Sequence, residues 1–147
     1  MVLVDTAVWI EYFKGSARSA VLKKLIHNNT LCINNLVLAE LLPSINLKKE
    51  YKLKQLLLAI KRIELEIDWN GIIDMQTQNI TNGINKVGIP DLIIAQNAIN
   101  NNLLLLSFDK HFSLMRDLFG LTSLREYRRY GHTQQKKRHI VSCLKSA

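Results

Sequence analysis

Four acidic side chains stand where carboxylates can act together. Asp5 ends the apolar run Val2-Leu3-Val4, and Asp109 comes just after the run from Leu103 to Ser107. Asp91 follows Pro90 at the start of a helical pattern, and Glu40 sits among the apolar residues Ala39, Leu41 and Leu42. Brought to one rim, four carboxylates cannot all remain ionised, because like charges raise one another's pKa. A divalent cation resolves that conflict. Hard oxygen ligands suit Mg²⁺ or Mn²⁺, ions that usually keep waters for a substrate phosphate and a nucleophile. Each acid also has a plainer reading: Asp5 as a turn or cap, Asp91 as a partner of a helix dipole, Asp109 as a turn residue, Glu40 as one more exposed helix Glu. Glu64, Glu66, Asp68, Asp74 and Asp117 fit a solvated-face or cap role throughout. Only the combination lifts the four above that background.

The elements that must position them can be read along the chain. Val2 to Val4 makes a short strand, and Trp9, Ile10 and Phe13 then take helical spacing, with Thr6 as a cap. Ser16 starts a second helix with Val21, Leu22, Leu25 and Ile26 inward, ended by Asn28-Asn29. Leu31-Cys32-Ile33 is a second strand, capped into a helix by Asn34-Asn35, with Pro43 near that helix's end or kink. Leu53, Leu56, Leu57 and Ile60 mark a long helix. Ile63, Leu65 and Ile67 alternate with Glu64, Glu66 and Asp68, the pattern of a strand with one wet face. Trp69 to Asn82 reads as a helix, and Gly83 and Gly88 flank a loop. Pro90 then suits a helix's first turn, Asn100-Asn101-Asn102 its stop, and Leu103 to Ser107 a strand buried on both faces. Strand and helix alternate, so the expected architecture is α/β, a central mainly parallel sheet flanked by helices on both sides. Ligand crevices in such sheets lie beyond the carboxyl ends of the strands, where Asp5 and Asp109 fall.

Composition narrows the function classes. With 147 residues, 48% of them hydrophobic, the chain can fill one core without disulfides. Cys32 and Cys143 are far apart, no Cys/His spacing marks a zinc site, and a free-thiol pair suits a reducing cytosol. No stretch has the length of a membrane span, and the start lacks the basic-then-apolar order of a signal peptide, so a cytoplasmic protein is expected. The formal charge of +8 is uneven: seven of the twenty Lys/Arg but only one of the twelve acids lie from Arg125 onward, leaving +2 for the rest. We therefore expect a domain over residues 1–127 and a basic tail over 128–147, mobile or held by a partner. Such a tail can hold nucleic acid or merely solubilise the chain.

Four segments together resemble a known family. Val2-Leu3-Val4-Asp5-Thr6-Ala7-Val8-Trp9-Ile10-Glu11-Tyr12-Phe13 is similar to the opening of PIN-domain ribonucleases, in particular VapC-type toxins of toxin–antitoxin pairs. Asn35 to Leu41, Ile89 to Ala95 and Leu104 to Phe112 resemble their second, third and fourth motifs, in order and at compatible separations from Met1 to about Leu121. The resemblance implies a PIN fold and Mg²⁺- or Mn²⁺-dependent cleavage of RNA phosphodiester bonds by metal-activated water. Asp5, Glu40, Asp91 and Asp109 would hold the metal, directly or through waters. Thr6 and Ser107 would orient those carboxylates, although a helix cap and a strand-end hydrogen bond serve equally well as their roles. A small antitoxin covering the acidic groove and homodimerisation are also implied. Two rivals are a stand-alone PIN nuclease of RNA processing and a catalytically idle PIN-like module binding RNA or protein. Family members often carry another acid shortly after the fourth motif, where this chain has Ser113, which leaves a second metal open. His111 reads as an exposed loop histidine rather than a phosphate contact. Trp9 with Phe13 reads as core or a partner-facing patch, and Lys86 and Arg116 as RNA contacts on charge alone.

Overall fold

Three runs of consecutive apolar residues pair side by side at the centre of the molecule. A computed structural model describes residues 1–124 of the chain; the expected basic tail, with Cys143, His132 and His139, lies outside the described residues. Strands β1 (Val2–Val4), β2 (Leu31–Cys32), β3 (Leu104–Leu106) and β4 (Thr122–Ser123) form one sheet in the order β2-β1-β3-β4, every pairing parallel. All residues of β1 and β3 are buried. Their unbroken apolar runs follow from that placement, because a parallel sheet is covered on both faces. Among the described residues, seven helices provide the cover: α1 (Thr6–Phe13), α2 (Ala20–His27), α3 (Asn35–Leu47), α4 (Tyr51–Ala59), α5 (Trp69–Thr81), α6 (Ile89–Asn100) and α7 (Lys110–Phe119). The expected α/β class, with its parallel sheet between helices, is the one observed.

Register sets the site. Val4 of β1 pairs with Leu106 of β3, so the residues that follow the two strands leave the sheet side by side. The Asp5 N–H continues the ladder by donating to the Leu106 carbonyl at 3.0 Å. Asp5 then takes the N-cap position of α1, without a side-chain cap bond. Thr6, expected as the cap, is instead the first helical residue, and its hydroxyl is spent elsewhere. Asn34 caps α3 by accepting from the Val37 N–H at 3.0 Å. Pro43 lies inside α3, which runs on to Leu47. Ser16 caps a short 3-10 turn over Ala17–Ser19 before α2 begins.

One expected strand does not form. The segment holding Ile63, Leu65 and Ile67 keeps its alternation, with the apolar residues half-buried and Glu64, Glu66 and Asp68 exposed. Its ladder is limited to a single parallel bridge, Ile33 with Arg62. Side-chain amides of α6 replace the missing partner strand. Asn97 Nδ2 donates to the Glu64 carbonyl at 2.8 Å, and Gln96 both accepts from the Asp68 N–H and donates to the Asp68 carbonyl, each at 3.0 Å. Asn34 Nδ2 donates to Asn97 Oδ1 at 3.0 Å, which joins the cap of α3 to the same chain of amides. Asn34, Gln96 and Asn97 are all buried. Their own amide groups are therefore taken out of water, and these bonds supply the partners they need.

Candidate metal centre

Four separate elements deliver the acidic residues to the carboxyl end of the sheet. Asp5 stands at the junction of β1 and α1, Glu40 on the second turn of α3, Asp91 in the first turn of α6, and Asp109 at the N-cap of α7. Asp5 is the deepest, only 5% exposed. Asp91 and Asp109 are half-buried and Glu40 is exposed.

Hydroxyls tie them together in pairs. Ser107 Oγ donates to Asp5 Oδ2 at 2.7 Å and accepts from the Asp109 N–H at 3.0 Å. One side chain at the end of β3 thus ties the Asp5 carboxylate to the backbone of Asp109. Thr6 Oγ1 donates to Glu40 Oε2, linking α1 to α3. Asp109 Oδ1 accepts from the His111 N–H at 2.8 Å, which caps α7 and fixes the carboxylate over that turn. His111 Nδ1 lies 2.9 Å from the same oxygen, but the approach is off the line of a ring N–H, so it is a close contact and not a hydrogen bond. That nitrogen is buried and has no hydrogen-bond partner among the described residues.

The acids feel one another. Burial pushes the Asp5 carboxyl up to about 6, against a lowering by the Ser107 hydroxyl, and the Asp91 and Glu40 charges push further in the same direction. Asp91 is also raised, first by burial and then by the charge of Asp109, with Glu40 adding to it; a backbone hydrogen bond at Gly88 and the neighbouring His111 pull the other way. Oxygens of Asp91 and Asp109 and a nitrogen of His111 lie within 4.8 Å of one another. Asp5 and Glu40 adjoin this trio without belonging to it. Neighbouring carboxylates gathered beside a buried imidazole nitrogen are a set that a divalent cation neutralises, so the residues fit such an ion.

Sequence reasoning underrated two residues. His111 was read as an exposed loop histidine, yet it starts α7 and turns a nitrogen inward; its place two residues after the capping Asp109 was the available signal. Arg18, in the 3-10 turn before α2, is the other. Its guanidinium lies 4.6 Å from the centroid of the Phe108 ring, beside the Ser107–Asp109 segment, and no local pattern in the sequence announces that long-range contact. Of the other candidates, Arg116 is engaged with the neighbouring carboxylate of Asp117, 2.8 and 3.0 Å away. Lys86 lies in the loop before α6 with a left-handed backbone, φ 64°. Trp9 is fully buried and packs against Tyr12 and Phe13, which makes it core.

A parallel α/β sheet with a carboxylate rim at its carboxyl end defines a class, and a comparison of families gives that class its name. The PIN domain model matches residues 2–118, and the chain belongs to the PIN-domain family, a class of nucleases. Among solved structures, the chain has the fold of VapBC2 from Rickettsia felis, solved bound to a DNA fragment from its promoter. The TM-score is 0.60 at 24% identity, covering 75% of this chain and 89% of that one. FitAcB from Neisseria gonorrhoeae gives a TM-score of 0.61 at 19% identity over 84% and 96% of the two chains. A toxin–antitoxin complex from Klebsiella pneumoniae gives 0.56 at 18% over 75% and 88%. No curated protein matches the sequence. Among the described residues, no helix is long and apolar enough to cross a membrane.

Proposed function

We propose that the chain is a Mg²⁺- or Mn²⁺-dependent endoribonuclease and the toxin of a toxin–antitoxin pair. One observation carries the catalytic reading: acids from four elements meet at the sheet's carboxyl end, where burial and then the neighbouring acidic charges raise the carboxyls of Asp5 and Asp91. Asp91 and Asp109 would hold the ion from one side, with Asp5 and Glu40 completing the charge around it. A bound divalent ion supplies charge neutralisation at the scissile phosphate and lowers the pKa of water. The chain's own residues do the rest. Ser107 ties the Asp5 carboxylate to the backbone of Asp109, and Thr6 turns Glu40 toward α1. Arg18, held against Phe108, offers a guanidinium to the phosphate backbone beside the rim.

The antitoxin half of the reading is supported by the neighbours in fold, one of which is itself described as a toxin–antitoxin complex. A small antitoxin would cover the acidic groove, and the nuclease would act as a homodimer in the cytoplasm. A short neighbouring gene for a DNA-binding protein distinguishes this from a stand-alone RNA-processing nuclease. The direct test is cleavage of RNA by the purified protein with Mg²⁺ or Mn²⁺, beside a chelated control and the variants Asp5→Asn and Asp91→Asn. We expect metal-dependent cutting by the wild type and a loss of at least about a hundredfold in each variant. Variants that cut as well as the wild type would show the metal-site reading to be wrong.

A further inference from the structure

His111 is the residue in the rim whose chemistry the carboxylate reading leaves unused. Its ring carries a buried nitrogen with no hydrogen-bond partner among the described residues. Buried donors of this kind normally have partners, and those without one in a native fold call for an explanation. Packing alone does not supply it. The nitrogen lies 2.9 Å from Asp109 Oδ1 without sharing a proton along that line, and an Asp91 oxygen is in the same cluster, within 4.8 Å. Two ligands at right angles around a small divalent ion with bonds of about 2.1 Å sit roughly 3 Å apart. A nitrogen and an oxygen at that spacing, with no hydrogen bond between them, are placed as two ligands of one ion are placed.

The position is also rigid. Asp109 Oδ1 accepts the His111 N–H at 2.8 Å, so the carboxylate and the imidazole are fixed to each other within one helical turn. The ring is one-fifth exposed, which leaves it reachable from the groove and otherwise enclosed. Ser113, two residues further on, is exposed and contributes no carboxylate that could take over the role.

We infer that His111 is a direct nitrogen ligand of the divalent ion held by Asp91 and Asp109, and that it biases the site toward first-row transition ions over Mg²⁺. The inference rests on the metal-site reading given above. An all-oxygen set suits Mg²⁺, whereas an imidazole in the set favours ions of the transition series. The bias belongs to this one side chain, since the other donors are carboxylates.

The test uses the full-length protein and Mn²⁺ as probe. Binding is followed by electron paramagnetic resonance, and pulsed spectra of the bound ion read any nitrogen bonded to it. The wild type is expected to show nitrogen-14 modulation. His111→Gln should lose it, bind Mn²⁺ about tenfold more weakly, and lose far less affinity for competing Mg²⁺. The wild-type spectrum needs no variant, so it stands even if the substitution disturbs folding. Bound Mn²⁺ with no nitrogen coupling overturns the role of His111 and leaves the carboxylate site standing. A wild type that binds no Mn²⁺ overturns both together.

Discussion

Asp5 has the most demanding position of any side chain at the rim. It is 5% exposed, and burial lifts its carboxyl from 3.8 to about 6. An acid whose folded pKa exceeds its unfolded value favours the folded state most at low pH. That contribution is complete below about 3.8 and is lost as pH rises through about 6. The shift corresponds to roughly 2–3 kcal/mol in metal-free protein. Asp5→Asn keeps an acceptor for the Ser107 hydroxyl and removes the charge. In chelator, the variant is therefore expected to be the more stable of the two at pH 7 and to match the wild type near pH 4, as read by urea denaturation across that range. Parallel curves for the two proteins would contradict it. The same residue shows what a sequence can reveal about a site. An acid straight after an apolar strand is conspicuous, as is one after a proline at a helix start. The spacing of such residues carries no information about depth, and it is depth that separates Asp5 from exposed Glu40. The roles of His111 and Arg18 are hidden for the same reason, because their contacts depend on tertiary placement.

At the level of elements, the sheet was legible and its edge was not. β1 and β3 announce themselves as unbroken apolar runs, since both of their faces are covered. Ile63, Leu65 and Ile67 show the alternation of a strand, yet pair only through the Ile33–Arg62 bridge. Alternation reports one buried face; it does not report whether a neighbour offers backbone or amide groups. Here α6 offers amides. The two-residue β4, Thr122–Ser123, was missed because so short a stretch has no periodicity to read. The amide chain makes a sharp prediction. Asn97→Leu keeps the branched shape but strands the buried Asn34 amide and removes the donor to the Glu64 carbonyl. A loss of about 2–4 kcal/mol is expected in chemical denaturation. Gly71 belongs to the same joint: a Cβ there would come within 2.7 Å of Asp68 Oδ2 and 2.9 Å of Gln96 Nε2. A side chain there would have to push aside the Asp68 carboxylate and the Gln96 amide, which is held by its bonds to Asp68.

For the molecule as a whole, net charge and site lie in different places. The +8 of the chain is mostly carried from Arg125 onward, while the rim is acidic. On the proposed reading of residues 1–127 as the nuclease domain, truncation after Tyr127 should lower RNA affinity and flatten its dependence on salt, with metal binding unchanged. Filter binding over a series of salt concentrations measures both, and an unchanged slope would remove the basic segment from RNA binding. The pairing of β1 with β3 also has a consequence in time. Val2 finds its partner in Leu104, and Asp5 its hydroxyl in Ser107, about a hundred residues later in the chain. At about 5–20 residues per second, a ribosome needs roughly 5–20 s to travel between them. Throughout that interval the nascent polypeptide has Asp5 but neither the β3 strand beside it nor Ser107 and Asp109 to complete the centre. A cell translating this message therefore meets the assembled centre only once synthesis has passed Asp109.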